Sequence, residues 1–257
     1  PMGTGLKRSP IQSALRAGVP LVAAVALTAT LLPLLPEEQL PEVVVHPAVI
    51  AGLCWAGQLW YVSYSLDEPG AVWTLRGDLF GLANTITLLR GALYAVVAGF
   101  IVVPVETAFA WVPALCYGTG VVLDKLDGTI ARTVGEETVL GTRLDMAFDT
   151  FGFVAAPLLA VLWGALPVYY LAISAARYTF VGAVRLHRWR GGTVHSLPDS
   201  NLGKYLAGVQ MVFVTVALVP AVPTAIVYSV APVVLAPSIA VFTRDYCYAT
   251  GRLGNAH

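Results

Sequence analysis

Residues 111–166 read WVPALCYGTGVVLDKLDGTIARTVGEETVLGTRLDMAFDTFGFVAAPLLAVLWGAL. Two apolar runs flank a short polar connection, and the acidic residues gather where the runs meet it. Runs of this kind decide the fold class, because roughly 20 helical residues cross the hydrocarbon core of a bilayer. They recur near 17–36, 48–65, 84–104, 108–126, 146–166, 168–187, 204–220 and 224–243. The expected architecture is all-α, a polytopic membrane bundle of about eight transmembrane helices. Short turns carrying Pro167, Pro220 and Pro223 make several neighbours antiparallel. Pro1, ahead of Met2, is set aside as a cleavage remnant. The first span follows Lys7, Arg8 and Arg16 in the manner of a signal peptide. It is too long for one and lacks a cleavage site, so it is expected to stay.

Composition agrees with the runs. Of 257 residues, 57% are hydrophobic and 12% charged, and mean hydropathy is +0.74. The charged share is about half the soluble average of roughly a quarter, and a soluble fold of this size could not hide so much apolar surface. A net charge of zero excludes the basic signature of a nucleic-acid binder. Cys54, Cys116 and Cys247 lie far apart in apolar runs, with neither a disulfide framework nor zinc spacing, and read as packing residues.

The cations set the orientation. With the N-terminus in the cytoplasm, Lys7, Arg8, Arg16, Arg76, Arg90, Lys125, Arg132, Arg143, Arg185, Arg188, Arg190, Lys204, Arg244 and Arg252 all fall on or near the cytoplasmic side. The opposite connections carry Glu37, Glu38, Glu42 and Glu106 and no cation. An even number of spans then places both termini in the cytoplasm. Before the third span, residues 71–83 are too polar to cross. They place Val72, Trp73, Leu75, Leu79, Phe80 and Leu82 on one broad face, the pattern of a helix lying in the interface; a plain loop is the alternative.

The chemistry concentrates between the fourth and fifth spans. Asp124 and Asp127 are three residues apart and share a helical face, as do Asp145 and Asp149, four apart. A short connection makes the two helices antiparallel neighbours, so four carboxylates can converge at the membrane boundary. Ionised together in a half-dry site they repel, and either protons or divalent cations must relieve them. Oxygen-only ligands favour magnesium, manganese or calcium over zinc. Two such ions could bind a diphosphate and stabilise its departure. Gly128 and Gly141 leave room for a ligand beside the backbone, and Arg132 offers a fork suited to phosphate. On residues alone, a transporter or ion pathway with acidic ligands remains an alternative.

The string Asp124-x2-Asp127-Gly128-x2-Ala131-Arg132-x8-Gly141-x3-Asp145-x3-Asp149 resembles, at every fixed position, the signature of the CDP-alcohol phosphatidyltransferases. The resemblance implies a membrane enzyme that moves a phosphatidyl-type or archaetidyl-type group from a CDP-linked lipid to an acceptor alcohol, releasing CMP. It implies Mg2+ or Mn2+ as cofactor, in two ions, with Asp124, Asp127, Asp145 and Asp149 as metal ligands. Asp149 is also implied as the base that takes the acceptor's proton. Gly128, Arg132 and Gly141 would belong to the nucleotide site, with Thr138 near enough to Arg132 to touch the nucleotide. Asn84-x2-Thr87-x2-Arg90 resembles the opening helix of the same family, which adds Asn84 and Thr87 to the nucleotide pocket. The family core has six helices. The implied division is a two-span extension over 1–66 and a phosphatidyltransferase domain over 67–257. Membrane lipids and a second copy of the chain, in a homodimer, complete the implied partners.

For the acceptor, Arg177 sits well inside the sixth span. An intramembrane arginine points to function, with a snorkelling structural residue as the plainer reading. With Arg143 and Lys204 it could bind an anionic, phosphorylated acceptor. Gly203-Lys204-x5-Gln210-Met211 resembles the branch of the family that uses glycerol phosphate, although Ala207 stands where that branch commonly has Thr. This favours glycerol phosphate over inositol phosphate, serine or choline-type acceptors. His46, His187, His195 and His257 share no spacing and read as surface or interface residues. Glu136 and Glu137 read as solvated.

Overall fold

The computed structural model describes residues 10–40, 45–65, 82–134, 139–195 and 202–252; side chains at 10–17, 62, 64–65, 82–84, 127–134, 139–144, 177 and 181 fall outside the description. Eight α-helices occupy the described residues: α1 (Pro10–Leu31), α2 (Pro47–Ser65), α3 (Leu82–Gly99), α4 (Trp111–Val134), α5 (Val139–Leu162), α6 (Ala172–Trp189), α7 (Leu202–Ala217) and α8 (Thr224–Ala249). The interfacial helix expected over 71–83 lies outside the described residues except for its last two, which open α3.

Among the described residues, three stretches are long and apolar enough to cross a membrane by the strictest measure: Thr85–Val102, Asp145–Leu162 and Thr224–Ala249. Gly18–Leu31 and Leu202–Ala217 are shorter apolar helices. Leu53, Trp60, Leu115, Val168, Tyr205 and Val233 all stand exposed. Apolar side chains turned outward on helix after helix suit lipid as the solvent. The chain is a multi-pass membrane protein with a largely helical fold.

Helix ends depart from the apolar runs at one informative place. α4 continues to Val134, past the apolar run that stops near residue 126, and α5 starts at Val139, ahead of the run that begins near 146. Hydropathy falls where charge enters, but backbone hydrogen bonding does not depend on side-chain polarity, and no proline interrupts these extensions. The whole acidic motif except the connection between the helices is therefore helical.

The chain divides into two compact units, Pro1–Phe109 with Val122–Gly152, and Ala110–Val121 with Phe153–His257. In the first, α1 and α2 pack antiparallel. Thr28 Oγ1 donates to the Ala48 carbonyl at 3.2 Å, and a Cβ at Gly52 would lie 2.8 Å from the Ala24 carbonyl oxygen, so only glycine allows this approach. α2 in turn runs antiparallel to α3, with Gly99 close against Pro47.

The second unit joins α6, α7 and α8 around a buried polar link. Gln210 of α7 is fully buried; it accepts from the Tyr170 hydroxyl and donates from Nε2 to the Val234 carbonyl and to Ser238 Oγ, both at 2.8 Å. Tyr170 lies in the 3-10 turn Val168–Leu171 that leads into α6, and its ring packs against Phe213 at 5.5 Å between centroids. Phe180 and Phe242 pair α6 with α8 at 6.4 Å. Gln210 thus ties three elements through groups that lipid could not satisfy.

Gln210→Leu removes these bonds and strands the buried Tyr170 hydroxyl, which we expect to cost about 1–3 kcal/mol. Replacing both partners, in Gln210→Leu with Tyr170→Phe, removes the stranded group and should recover part of that loss. Thermal unfolding of the purified variants in detergent checks the order; a double variant less stable than Gln210→Leu would reject this account.

Candidate active site

The acidic pairs separate by helix. Asp124 lies on α4 and Asp145 and Asp149 on α5, the last two one turn apart on a single face. Oxygens of the three carboxylates lie within 4.8 Å of one another. Between them sits a side chain from α3. Arg90 is 1% exposed, and its Nη1 donates to Asp124 Oδ1 at 2.5 Å. Its Nη2 donates to Asp145 Oδ1 and lies 3.2 Å from Asp149 Oδ1. One guanidinium therefore spans three carboxylates from two helices, a planar fork that lysine could not replace. Lys125 approaches the other oxygen of Asp124 at 3.6 Å but is mostly in solvent, and contributes little.

Packing sets this geometry. Directly after Arg90, Gly91 faces α5, where a Cβ would lie 2.9 Å from the Phe148 ring. One turn further on, the relation reverses: Gly152 of α5 receives the ring of Tyr94, 2.7 Å from where a Cβ would stand. Each helix gives a glycine notch to an aromatic residue of the other, and the order of the two contacts makes α3 and α5 parallel. Phe148 is fully buried between Asp145 and Asp149 in sequence, so the contact that holds the helices close also fixes the two acids.

The donor set fits a divalent cation. Three carboxylates against one guanidinium leave two negative charges, the amount a divalent ion balances. The ligands are all oxygen, the choice of hard ions. The carboxylate oxygens lie within 4.8 Å of one another, close enough to serve a single ion. The carboxylates are 20%, 46% and 27% exposed for Asp124, Asp145 and Asp149, which leaves a ligand a way in.

The other expected site residues divide into several groups. Thr87 lies one turn before Arg90 on α3 and is buried. Asp127, Gly128 and Arg132 are on α4, Gly141 and Arg143 on α5, Asn84 in the first turn of α3 and Arg177 on α6. For Asn84, Asp127, Arg132, Arg143 and Arg177 the described structure stops at the backbone, and Thr138 lies outside the described residues. Lys204 is exposed in the first turn of α7. Gln210, which follows it in the same short motif, is committed to the buried link with Tyr170, Val234 and Ser238. Arg90 is the residue that sequence reasoning passed over. It was available as the arginine of Asn84-x2-Thr87-x2-Arg90, but its place near a helix end let the positive-inside rule account for it.

A search among curated proteins gives no match to the chain. The sequence pattern of one family, CDP-alcohol phosphatidyltransferase, matches residues 80–242, a stretch that includes Arg90 and all four motif aspartates. Because that match covers well over half of the chain and brings its acidic motif onto two adjoining helices around one arginine, the protein belongs to the CDP-alcohol phosphatidyltransferase family and carries out lipid transfer chemistry of that general kind.

Proposed function

We propose that the protein transfers a phosphatidyl-type or archaetidyl-type group from a CDP-linked lipid to a phosphorylated alcohol, most simply glycerol phosphate, and releases CMP. The observation that carries this reading is the convergence of Asp124, Asp145 and Asp149 around Arg90. The reaction forms a bond from the acceptor oxygen to the lipid-side phosphorus and breaks the bond from that phosphorus to the bridging oxygen. The acceptor loses a proton, and CMP departs with the bridging oxygen.

In this reading Asp124, Asp127, Asp145 and Asp149 hold Mg2+ or Mn2+, in two ions. When bound, the metal supplies positive charge for the diphosphate and for the departing phosphate. Arg90 stays buried and keeps the carboxylates from spreading apart. Asp149, on the helix face it shares with Asp145, takes the acceptor's proton at its carboxylate. Asn84, Thr87, Gly128, Arg132, Thr138 and Gly141 line the nucleotide side. Arg177, Lys204 and Arg143 bind the acceptor phosphate through charge-assisted hydrogen bonds. The cation distribution supports a site on the cytoplasmic side, with both termini there. Residues 1–66 form an extension ahead of the transferase domain over 67–257, and the chain acts as a homodimer.

Asp149→Asn keeps volume while removing the base. CMP release should fall by roughly a hundredfold or more, the usual contribution of a positioned base, with CDP-lipid still bound; turnover near the wild type would remove the role. Chelation should abolish turnover and added Mg2+ or Mn2+ restore it, and Asp124→Ala or Asp145→Ala should weaken divalent-ion binding measured by calorimetry. Acceptor or ion flux in proteoliposomes with no CMP formed would instead mark a transporter.

Neutral replacements of Arg177 or Lys204 test the acceptor. A charge-assisted contact of about 1.5–3 kcal/mol corresponds to an apparent KM for the acceptor raised roughly ten- to hundredfold, with CDP-lipid binding little changed. A wild type that uses free glycerol, serine or inositol as readily as glycerol phosphate would end the anionic-acceptor reading.

A further inference from the structure

The matched family segment starts at residue 80, which leaves α1 and α2 outside it. Yet α2 reaches the point on which the carboxylate geometry depends. Trp55 is buried, and its ring stands 5.6 Å from that of Phe148, tilted at 45°. A Cβ at Gly91 would meet Trp55 Cζ3 at 2.6 Å as well as the Phe148 ring at 2.9 Å, so both aromatics occupy the notch beside Arg90. Trp55, Phe148 and Ala95 form one buried cluster. One turn along α2, buried Gln58 donates from Nε2 to the Gly91 carbonyl at 3.4 Å. Helix α2 is therefore fastened to α3 by a polar contact at Gly91 and to α5 by an aromatic contact at Phe148, and those two residues neighbour Arg90 and Asp149 in sequence.

We propose that α2 is part of the frame of the active site and that Trp55 is a positioning residue, holding Phe148 so that Asp145 and Asp149 stay within reach of Arg90 and of a divalent cation. This rests on the metal reading of the three carboxylates. Arg90 bridges helices, so its two Nη groups can hold α4 and α5 acids together only at one α3–α5 spacing. That spacing is set at Gly91, where the rings of Trp55 and Phe148 stand against the glycine and against each other. Without the indole, Phe148 can shift into the gap, and the acids on either side of it shift as well. Tight cores transmit such displacements because they contain little free volume. The effect reaches the metal through its ligands, as groups that orient metal ligands do.

The test uses the full chain in detergent or nanodiscs, with Mn2+ alone as the probe for calorimetric binding, and CMP release and thermal unfolding measured alongside. Trp55→Ala should weaken Mn2+ binding roughly ten- to hundredfold, the range seen when ligand-orienting groups are lost. It should lower kcat for CMP release while the KM for CDP-lipid changes little. Trp55→Phe keeps a ring against Phe148 and should restore most of both. Gly91→Ala forces a methyl against both rings and should weaken Mn2+ binding; adding Trp55→Phe removes the Cζ3 contact, lets the Phe148 ring give way, and should recover part of the loss, so the result does not depend on Trp55→Ala folding. Trp60→Ala, on the exposed side of the same helix, should leave Mn2+ affinity and kcat unchanged. Wild-type Mn2+ affinity in every Trp55 and Gly91 variant, with only thermal stability lowered, overturns the proposal and leaves the metal reading intact. Absence of Mn2+ binding in the wild type itself overturns both.

Discussion

Like charges gathered in a poorly solvated place must be compensated, and here the compensation is a single buried guanidinium. At an effective dielectric of about 20, unit charges 4 Å apart interact by roughly 4 kcal/mol. Three carboxylates make three mutual repulsions, and Arg90 sets one attraction against each acid, so it offsets their repulsion while the group keeps a net negative charge. Such a site is poised for a doubly charged ion, which adds attraction to all three acids at once. The rest of the first unit serves this balance: the reciprocal glycine notches bring α3 and α5 close, and buried aromatics keep them there.

The two compact units use polar groups differently. In the first, charge is concentrated and left partly open to solvent. In the second, Gln210 satisfies its neighbours fully and is sealed from solvent. A satisfied amide of this kind rigidifies its surroundings and offers nothing to a substrate. The difference marks which polar residues of an apolar chain belong to chemistry and which to folding, a distinction that residue type alone does not make.

Much of this could be read before the structure. Apolar runs fell on the eight helices of the described residues, of which three hold a stretch long and apolar enough to cross a bilayer by the strict measure, because lipid imposes a length and a composition on whatever crosses it. The spacing of Asp124, Asp145 and Asp149 was enough to place them on faces able to converge. Helix ends were less legible: Gly141, Arg143 and Asp145 belong to the same helix as the apolar run after them, but charge hides that continuity from hydropathy. Arg90 was missed for a related reason. A cation near a helix end has an adequate explanation in topology, and only three-dimensional packing turns it inward to the acids of two later helices. Gln210 shows the converse: its motif associates it with an acceptor, while its burial and its partners make it a structural tie. Trp55 had no signal at all, since an apolar residue in an apolar run carries no sign of what it touches.

The separation of Arg90 from its partners along the chain bears on how the protein enters the bilayer. Asp124 follows 34 residues later and Asp145 55 residues later, so Arg90 is synthesised before either acid that it pairs with. An arginine in a spanning helix is costly, though less so near a helix end, where the side chain can extend to the headgroups. Arg90 lies only five residues into its apolar stretch, which begins at Thr85. The nascent helix can therefore insert with its guanidinium turned outward toward lipid phosphates, and the arginine exchanges them for carboxylates once α4 and α5 arrive. On that order of synthesis, folding would give this arginine a change of counterion, from lipid to protein, in advance of any encounter with substrate.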